Sequence, residues 1–155
     1  MKSDISIGLY GFGVVGEGLF QLLRNNKIAK TEIRKVCIRQ KNKERSIKPP
    51  LLTFDSEEIL GDESIGLVVE LIDDADKAYE IVKNALLKGK SVVSGNKKML
   101  AHHLDEFIHI QENNAAALLY DASACGSIPV IRNLEEYYDN DLLKSITGIL
   151  NGSSN

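Results

Sequence analysis

Three glycines near the amino terminus, Gly11, Gly13 and Gly16 in "IGLYGFGVVGEGLFQLL", have the spacing G-x-G-x-x-G. The chemistry open to such a spacing is the holding of an anionic group by main-chain amides, which a side chain would keep at a distance. Glycine is common at any tight turn, so the spacing takes its weight from the elements around it. Before it, Ile5–Tyr10 is a short apolar run that reads as a buried strand. After it, Val15, Leu19, Leu22 and Leu23 recur at helical spacing over 14–26. Between a strand and a helix, Gly11 can take the tight turn and Gly13 leaves the backbone open to a pyrophosphate. Gly16 lets helix and strand pack closely. The helix N-terminus adds unpaired N–H groups and a positive dipole end, so residues 11–16, with Phe12, Val14 and Val15 among them, form the expected contact. No Gly-Lys-Ser/Thr follows, which excludes a P-loop. The turn reads as a dinucleotide site.

The same fingerprint expects an acid about 20 positions on, at the end of the second strand, to hold the ribose hydroxyls. This chain has "IRQKNKER" there, with no acid before Glu44. A carboxylate would repel the 2′-phosphate of NADP, whereas a guanidinium pairs with it in bidentate fashion. Arg39 reads as a 2′-phosphate ligand, with Lys41 or Lys43 assisting; the bland alternative is a solvated basic loop. NADP(H) is favoured and NAD(H) stays open.

Other residues of chemical interest stand at later strand ends. Lys97 follows Asn96 after "SVVSG". An ammonium there could stabilise charge developing on a carbonyl oxygen or orient a nicotinamide amide. Lys98 beside it reads as a helix-start residue. Ser94 offers a hydroxyl to cofactor or substrate, and Ile72 ends a strand as a cofactor contact. Glu70 is an acid in an apolar strand and needs a partner. Asp73 and Asp74 would be unfavourable near a pyrophosphate unless they cap the next helix or point away.

These residues require elements to position them. A second strand is expected over 32–39, then a charged loop, "QKNKERSIKPP", then a short strand and helical turn over 51–54 and 56–60. Residues 66–72 form a continuous apolar strand, and "DDADKAYEIVKNALLKG" a helix with an acidic start and Gly89 past its end. "SVVSG" is a strand, 98–113 a helix, "AAALLYD" a strand and "SIPVIRNLEEYYD" a helix with Pro129 in its first turn. "LKSITGIL" reads as a last strand. The alternation predicts an α/β, Rossmann-like, doubly wound parallel sheet forming a single domain, with ligands beyond the carboxyl ends of its strands.

The 155 residues are 43% hydrophobic and 26% charged, as in ordinary globular proteins, and a net charge of -3 gives no general pull toward nucleic acid or acidic membranes. No apolar run approaches the ~20 residues that span a bilayer. "MKSDISIGLY" lacks a secretory core, so a cytoplasmic location is expected. Cys37 and Cys125 fit a reducing compartment and make no metal spacing, with Cys125 reading as a small packed residue. His102, His103 and His109 lack metal spacing and read as surface or partly buried.

Three stretches, "LVVELI" (67–72), "SVVSGNKKMLA" (91–101) and "LLYDASACGSIPVIRNL" with "ITGILNGSSN", resemble homoserine dehydrogenases, in order along the whole chain. The resemblance implies reduction of L-aspartate 4-semialdehyde to L-homoserine with NADH or NADPH, in threonine and methionine biosynthesis, by a homo-oligomer in full length. Family members are about twice this length or more, so residues 1–155 are expected to be the NAD(P)-binding domain, ending before a substrate and dimerisation domain. Such a domain alone would bind cofactor without turnover. The resemblance makes Lys97 the nucleotide-domain lysine of the active site. It also likens "YDASACGSIPVI" to a segment holding a monovalent cation, usually sodium. The ligands would be Asp121, in place of the family's glutamate, and the carbonyls of Ala124, Gly126 and Ile128. "NGSSN" keeps a small polar set suited to a substrate cleft. Two other readings are an aspartate dehydrogenase-like oxidoreductase, against which the N-G-S-S-N and I-P-V-I stretches speak, and a non-catalytic nucleotide-sensing domain.

Overall fold

The computed structural model describes residues 5–25, 30–40 and 52–151. Strand β1 (Ile5–Tyr10) leads into helix α1 (Val14–Asn25), followed by β2 (Thr31–Cys37), β3 (Leu52–Thr53) and a single helical turn, α2 (Glu57–Leu60). The alternation continues through β4 (Leu67–Glu70), α3 (Ala75–Leu87), β5 (Ser91–Ser94), α4 (Lys97–Asn113) and β6 (Leu118–Leu119). Helices α5 (Asp121–Cys125) and α6 (Val130–Tyr137) follow. The strands form one sheet in the order β3-β2-β1-β4-β5-β6, every pair parallel. This is the doubly wound α/β class expected, and its strand order reverses between β1 and β4, where such sheets open a crevice.

The strands are apolar runs because the central ones are covered on both faces. On one face Ile7, Leu9, Ile33, Val36 and Val69 pack with Leu19, Phe20 and Leu23 of α1. On the other, Val68 and Val92 pack with Val82 and Leu86 of α3 and Met99 and Phe107 of α4. Each fully buried side chain of this kind contributes about 1.5–3 kcal/mol. The helices are punctuated as their sequences suggest. Asp74 accepts from the Lys77 amide (3.1 Å) to cap α3, and Gly89, just past the end of α3, has a φ of +71°. Asn96 caps α4 in the same way, accepting from the Met99 amide at 3.0 Å.

Parallel register brings the strand ends level: Tyr10 stands beside both Cys37 and Glu70, and Glu70 beside Ser94. The close approach of α1 to β1 depends on Gly16, which is buried, and whose Cβ would overlap the carbonyl oxygen of Gly11.

Two expectations are corrected. The strand expected from "AAALLYD" is only Leu118–Leu119, and Asp121 begins α5. The small alanines have little to pack. The Ala117 carbonyl accepts from the Val92 amide (2.7 Å), but the Ala117 and Leu118 amides turn to side chains, Ser91 Oγ (3.2 Å) and Gln111 Oε1 (2.8 Å). The last strand, "LKSITGIL", is absent. An edge of two residues at β6 is too short to pair an eight-residue strand, and Ile146 and Ile149 stay exposed. Among the described residues, no helix is long and apolar enough to cross a membrane.

Gly16→Ala should lower stability by about 1–3 kcal/mol, because backbone rather than a flexible side chain must yield. Gly13→Ala, where an added Cβ meets nothing within 4 Å, should change stability far less. Urea denaturation of the two variants side by side measures the difference.

Candidate functional site

A groove of about 870 Å³ opens at the carboxyl ends of β1, β2 and β4. That volume is within the ~300–1,000 Å³ of small-molecule sites, and the place is the switch point of the sheet. Residues 10–16 line it from β1 and the start of α1, with Arg39 and Gln40 beyond β2 and Phe54 and Ser56 beyond β3. Residues 71–74 beyond β4, with Lys77 and Ile81 of α3, complete the lining.

The three glycines meet three different surroundings. Gly11 has a φ of +92°, and a Cβ there would lie 2.6 Å from the Leu71 carbonyl oxygen. Its amide donates to Cys37 O at 3.0 Å, tying the turn to the end of β2. Gly16 is the packing contact described above. Gly13 alone is exposed, with open space where a side chain would stand. The first helical bond of α1 runs from the Glu17 amide to Gly13 O (2.8 Å), and a helix start leaves the preceding amides without intrahelical acceptors. The result is a main-chain cradle with a positive dipole end.

Gly11, Phe12, Gly13, Val14, Val15, Gly16, Arg39 and Ile72 all line this groove, while Lys41 falls outside the described residues. Arg39 is exposed, just past the end of β2. Lys77 and Ile81 were not anticipated, although their i, i+4 spacing places them on one face of α3 once that helix is set beside the crevice. Asp74 is engaged as a helix cap, as a carboxylate in this place requires, whereas Asp73 is exposed on the groove.

Ser94 and Lys97 belong to the neighbouring strand end. Glu70 is fully buried and accepts from the Ile72 amide (2.7 Å) and from Ser94 Oγ (2.6 Å). Ser94 Oγ accepts from the Asn96 amide (3.1 Å), and Asn96 Nδ2 donates to Ile72 O (3.1 Å). Glu70 thus has the partner its burial demands. The Ser94 hydroxyl donates its proton to Glu70, a buried carboxylate and a strong acceptor. Lys97 is exposed on the first turn of α4, next in sequence to Asn96, whose side chain reaches the groove-lining Ile72; Lys97 itself is not part of the groove lining.

In the segment likened to a cation site, the Asp121 carboxylate accepts from the Arg132 amide (3.3 Å) and Ile128 O from the Val130 amide (2.8 Å). Ala124 lies within α5, and Gly126 turns the chain at a φ of +62°. Cys125 is buried as a packed residue. His102 and His109 are exposed, and His103 is partly buried with its ring 4.1 Å from that of Tyr79. Among the described residues no group of three or more His, Cys, Asp or Glu could hold a metal ion.

The strand order, the glycine turn and the groove at the switch point define a dinucleotide-binding Rossmann domain. The family model for the homoserine dehydrogenase NAD-binding domain matches residues 11–121. The homoserine dehydrogenase of Helicobacter pylori is 35% identical over 162 aligned positions, covering all of this chain and 38% of its own length. That of Lactococcus lactis is 34% identical, covering 97% of this chain and 38% of its own. The solved structure of a homoserine dehydrogenase from Thiobacillus denitrificans superposes with a TM-score of 0.77 at 32% identity, over 85% of this chain and 32% of that one. This chain belongs to the family of homoserine dehydrogenase NAD-binding domains, and it spans under two fifths of the length of those relatives.

Burial holds the Glu70 carboxyl above the usual carboxylate range; the hydrogen bonds from Ser94 and Ile72 only partly offset it, and the nearby charge of Asp73 adds to it. A carboxyl whose folded pKa is raised stabilises the folded state most below its unfolded pKa, and that contribution is lost as pH rises through the folded value. The stability of the native chain relative to Glu70→Gln should therefore fall as pH rises above the ordinary glutamate range. Urea melts of both proteins across a pH series test this; a constant difference would show that Glu70 does not titrate in that window.

Proposed function

We propose that this chain holds a nicotinamide dinucleotide in the groove, NADP(H) in preference to NAD(H). It then serves as the cofactor domain of an enzyme interconverting L-aspartate 4-semialdehyde and L-homoserine. The observation that carries this reading is Gly13, exposed on the groove at the start of α1 with no atom within 4 Å of the place its Cβ would take. A pyrophosphate can therefore come against the amides of the helix start, where the dipole favours negative charge. The cradle fits the group in size, polarity and access to backbone.

Arg39, beyond the end of β2, supplies a planar, permanently charged fork for a 2′-phosphate, and no carboxylate occupies its place in the sequence. Lys77 adds a second cation on the α3 wall. A nicotinamide held there would supply or take up the hydride. The backbone at 71–72 would orient it, and Lys97 would bring an ammonium to steady the negative charge that grows on the substrate carbonyl oxygen during reduction.

Titration with NADPH and NADH at fixed salt, followed by nicotinamide fluorescence, tests the groove. NADPH should bind more tightly. Arg39→Asp should weaken NADPH binding by about 10–100-fold, the worth of a charge-assisted hydrogen-bond pair, with much less effect on NADH. Equal loss for both would remove the 2′-phosphate role. Gly13→Val should abolish both, and retained binding would overturn the cradle.

Lys97→Ala, in a polypeptide joining this domain to a substrate domain, should cut turnover about 10²-fold, as loss of an electrostatic stabiliser does, while sparing nucleotide affinity. Full turnover in that variant would take Lys97 out of the chemistry.

A further inference from the structure

The carboxyl ends of β4 and β5 carry a closed ring of hydrogen bonds. The Ile72 amide donates to Glu70 Oε1, and Asn96 Nδ2 returns to the Ile72 carbonyl. The Asn96 amide donates to Ser94 Oγ, and Ser94 Oγ donates to Glu70 Oε2. The remaining Asn96 oxygen accepts from Met99 and so caps α4. One side of the ring is therefore backbone that lines the groove, and the other is the start of the helix that carries Lys97.

We infer that Glu70 is a positioning residue: its buried carboxylate, acting through Ser94 and Asn96, holds the first turn of α4, and with it Lys97, in fixed register against the groove at Ile72. This rests on the role proposed for Lys97. Its support is a matter of cost and geometry. Glu70 ends an otherwise apolar strand, where an aliphatic side chain would fill the space without burying a charge. Glu70, Ser94 and Asn96 are 0%, 1% and 8% exposed, so little water competes for their hydrogen bonds. Glu70 and Ser94 are register partners on adjacent strands, which fixes one side of the ring to the sheet. A backbone bond from the Gly95 amide to Glu70 O (3.1 Å) runs alongside. Turning the Asn96 side chain would release both the α4 cap and the Ile72 carbonyl, so the two loops cannot shift independently.

Glu70→Gln, Ser94→Ala and Ser94→Thr test the inference by two readouts. The first is amide hydrogen exchange in this chain. Glu70→Gln and Ser94→Ala should speed exchange at Ile72, Asn96 and Met99 by about tenfold, the loss of one charge-assisted hydrogen bond, and leave the Glu17 amide in the glycine turn unchanged. The second is steady-state kinetics in a polypeptide that includes a substrate domain. Both variants should lower kcat by about tenfold or more with KM for the nucleotide within about twofold, the pattern of a lost transition-state interaction. Ser94→Thr keeps the hydroxyl and should restore both readouts. Unchanged exchange at the three amides, uniformly faster exchange across the sheet, undiminished kcat, or a Ser94→Thr variant no better than Ser94→Ala would each overturn the inference. Exchange needs no bound nucleotide, so failure of the ring is distinguishable from failure of the cofactor reading, which the wild-type titration reports.

Discussion

The level alignment of the strand ends is the constraint on which the rest of the structure depends. Parallel pairing places Cys37, Tyr10, Glu70 and Ser94 in one row, and the chain continues the ladder for one residue past each strand. Gly11 donates to Cys37 O, Ile38 to Thr53 O, Leu71 to Tyr10 O and Gly95 to Glu70 O. Every loop that builds the groove therefore leaves from a hydrogen-bonded edge rather than from free chain. Parallel strands also demand crossovers, and α1, α3 and α4, which connect β1 to β2, β4 to β5 and β5 to β6, bury both faces.

The same topology sets the electrostatics. Helices α1, α3 and α4 each follow a strand whose carboxyl end is in that row, so three helix N-termini gather near one edge of the sheet. Their dipole ends, with Arg39 and Lys77, favour an anion there. Of the carboxylates nearby, Asp74 satisfies the start of α3 and Glu70 is drawn into the interior, while Asp73 stays exposed on the groove. The polar groups are thus divided between those that complete the fold and those left facing the groove.

Close packing and open space are needed a few residues apart. At Gly11 and Gly16 the turn lies against Leu71 and against its own backbone, while at Gly13 the main chain is bare. A turn that must touch the sheet on one side and a ligand on the other has little room for side chains on either. The buried ring around Glu70 answers the matching problem at β4 and β5, where two loops must keep a fixed distance.

Much of this was legible in the residues. The strands, the helices, the glycine turn, the need of Asp74 to cap and the need of Glu70 for a partner follow from short-range physics: side-chain period, backbone freedom and the cost of burying charge. What the residues alone left undecided, or in one segment misplaced, depends on neighbours distant in sequence. "LKSITGIL" has the pattern of a strand, but a strand needs an edge to pair with, and β6 offers two residues. Ser94 has a hydroxyl suited to a ligand, but its direction is decided by a carboxylate 24 residues away across the sheet. Lys77 and Ile81 gain meaning only when α3 is set beside the crevice. The sequence by itself determined which segments become strands and helices and where a nucleotide could meet bare backbone, because those properties are local. The order of the strands, the direction of each polar side chain and the walls of the groove were decided only by the tertiary structure, because each is a choice among partners that folding alone brings together.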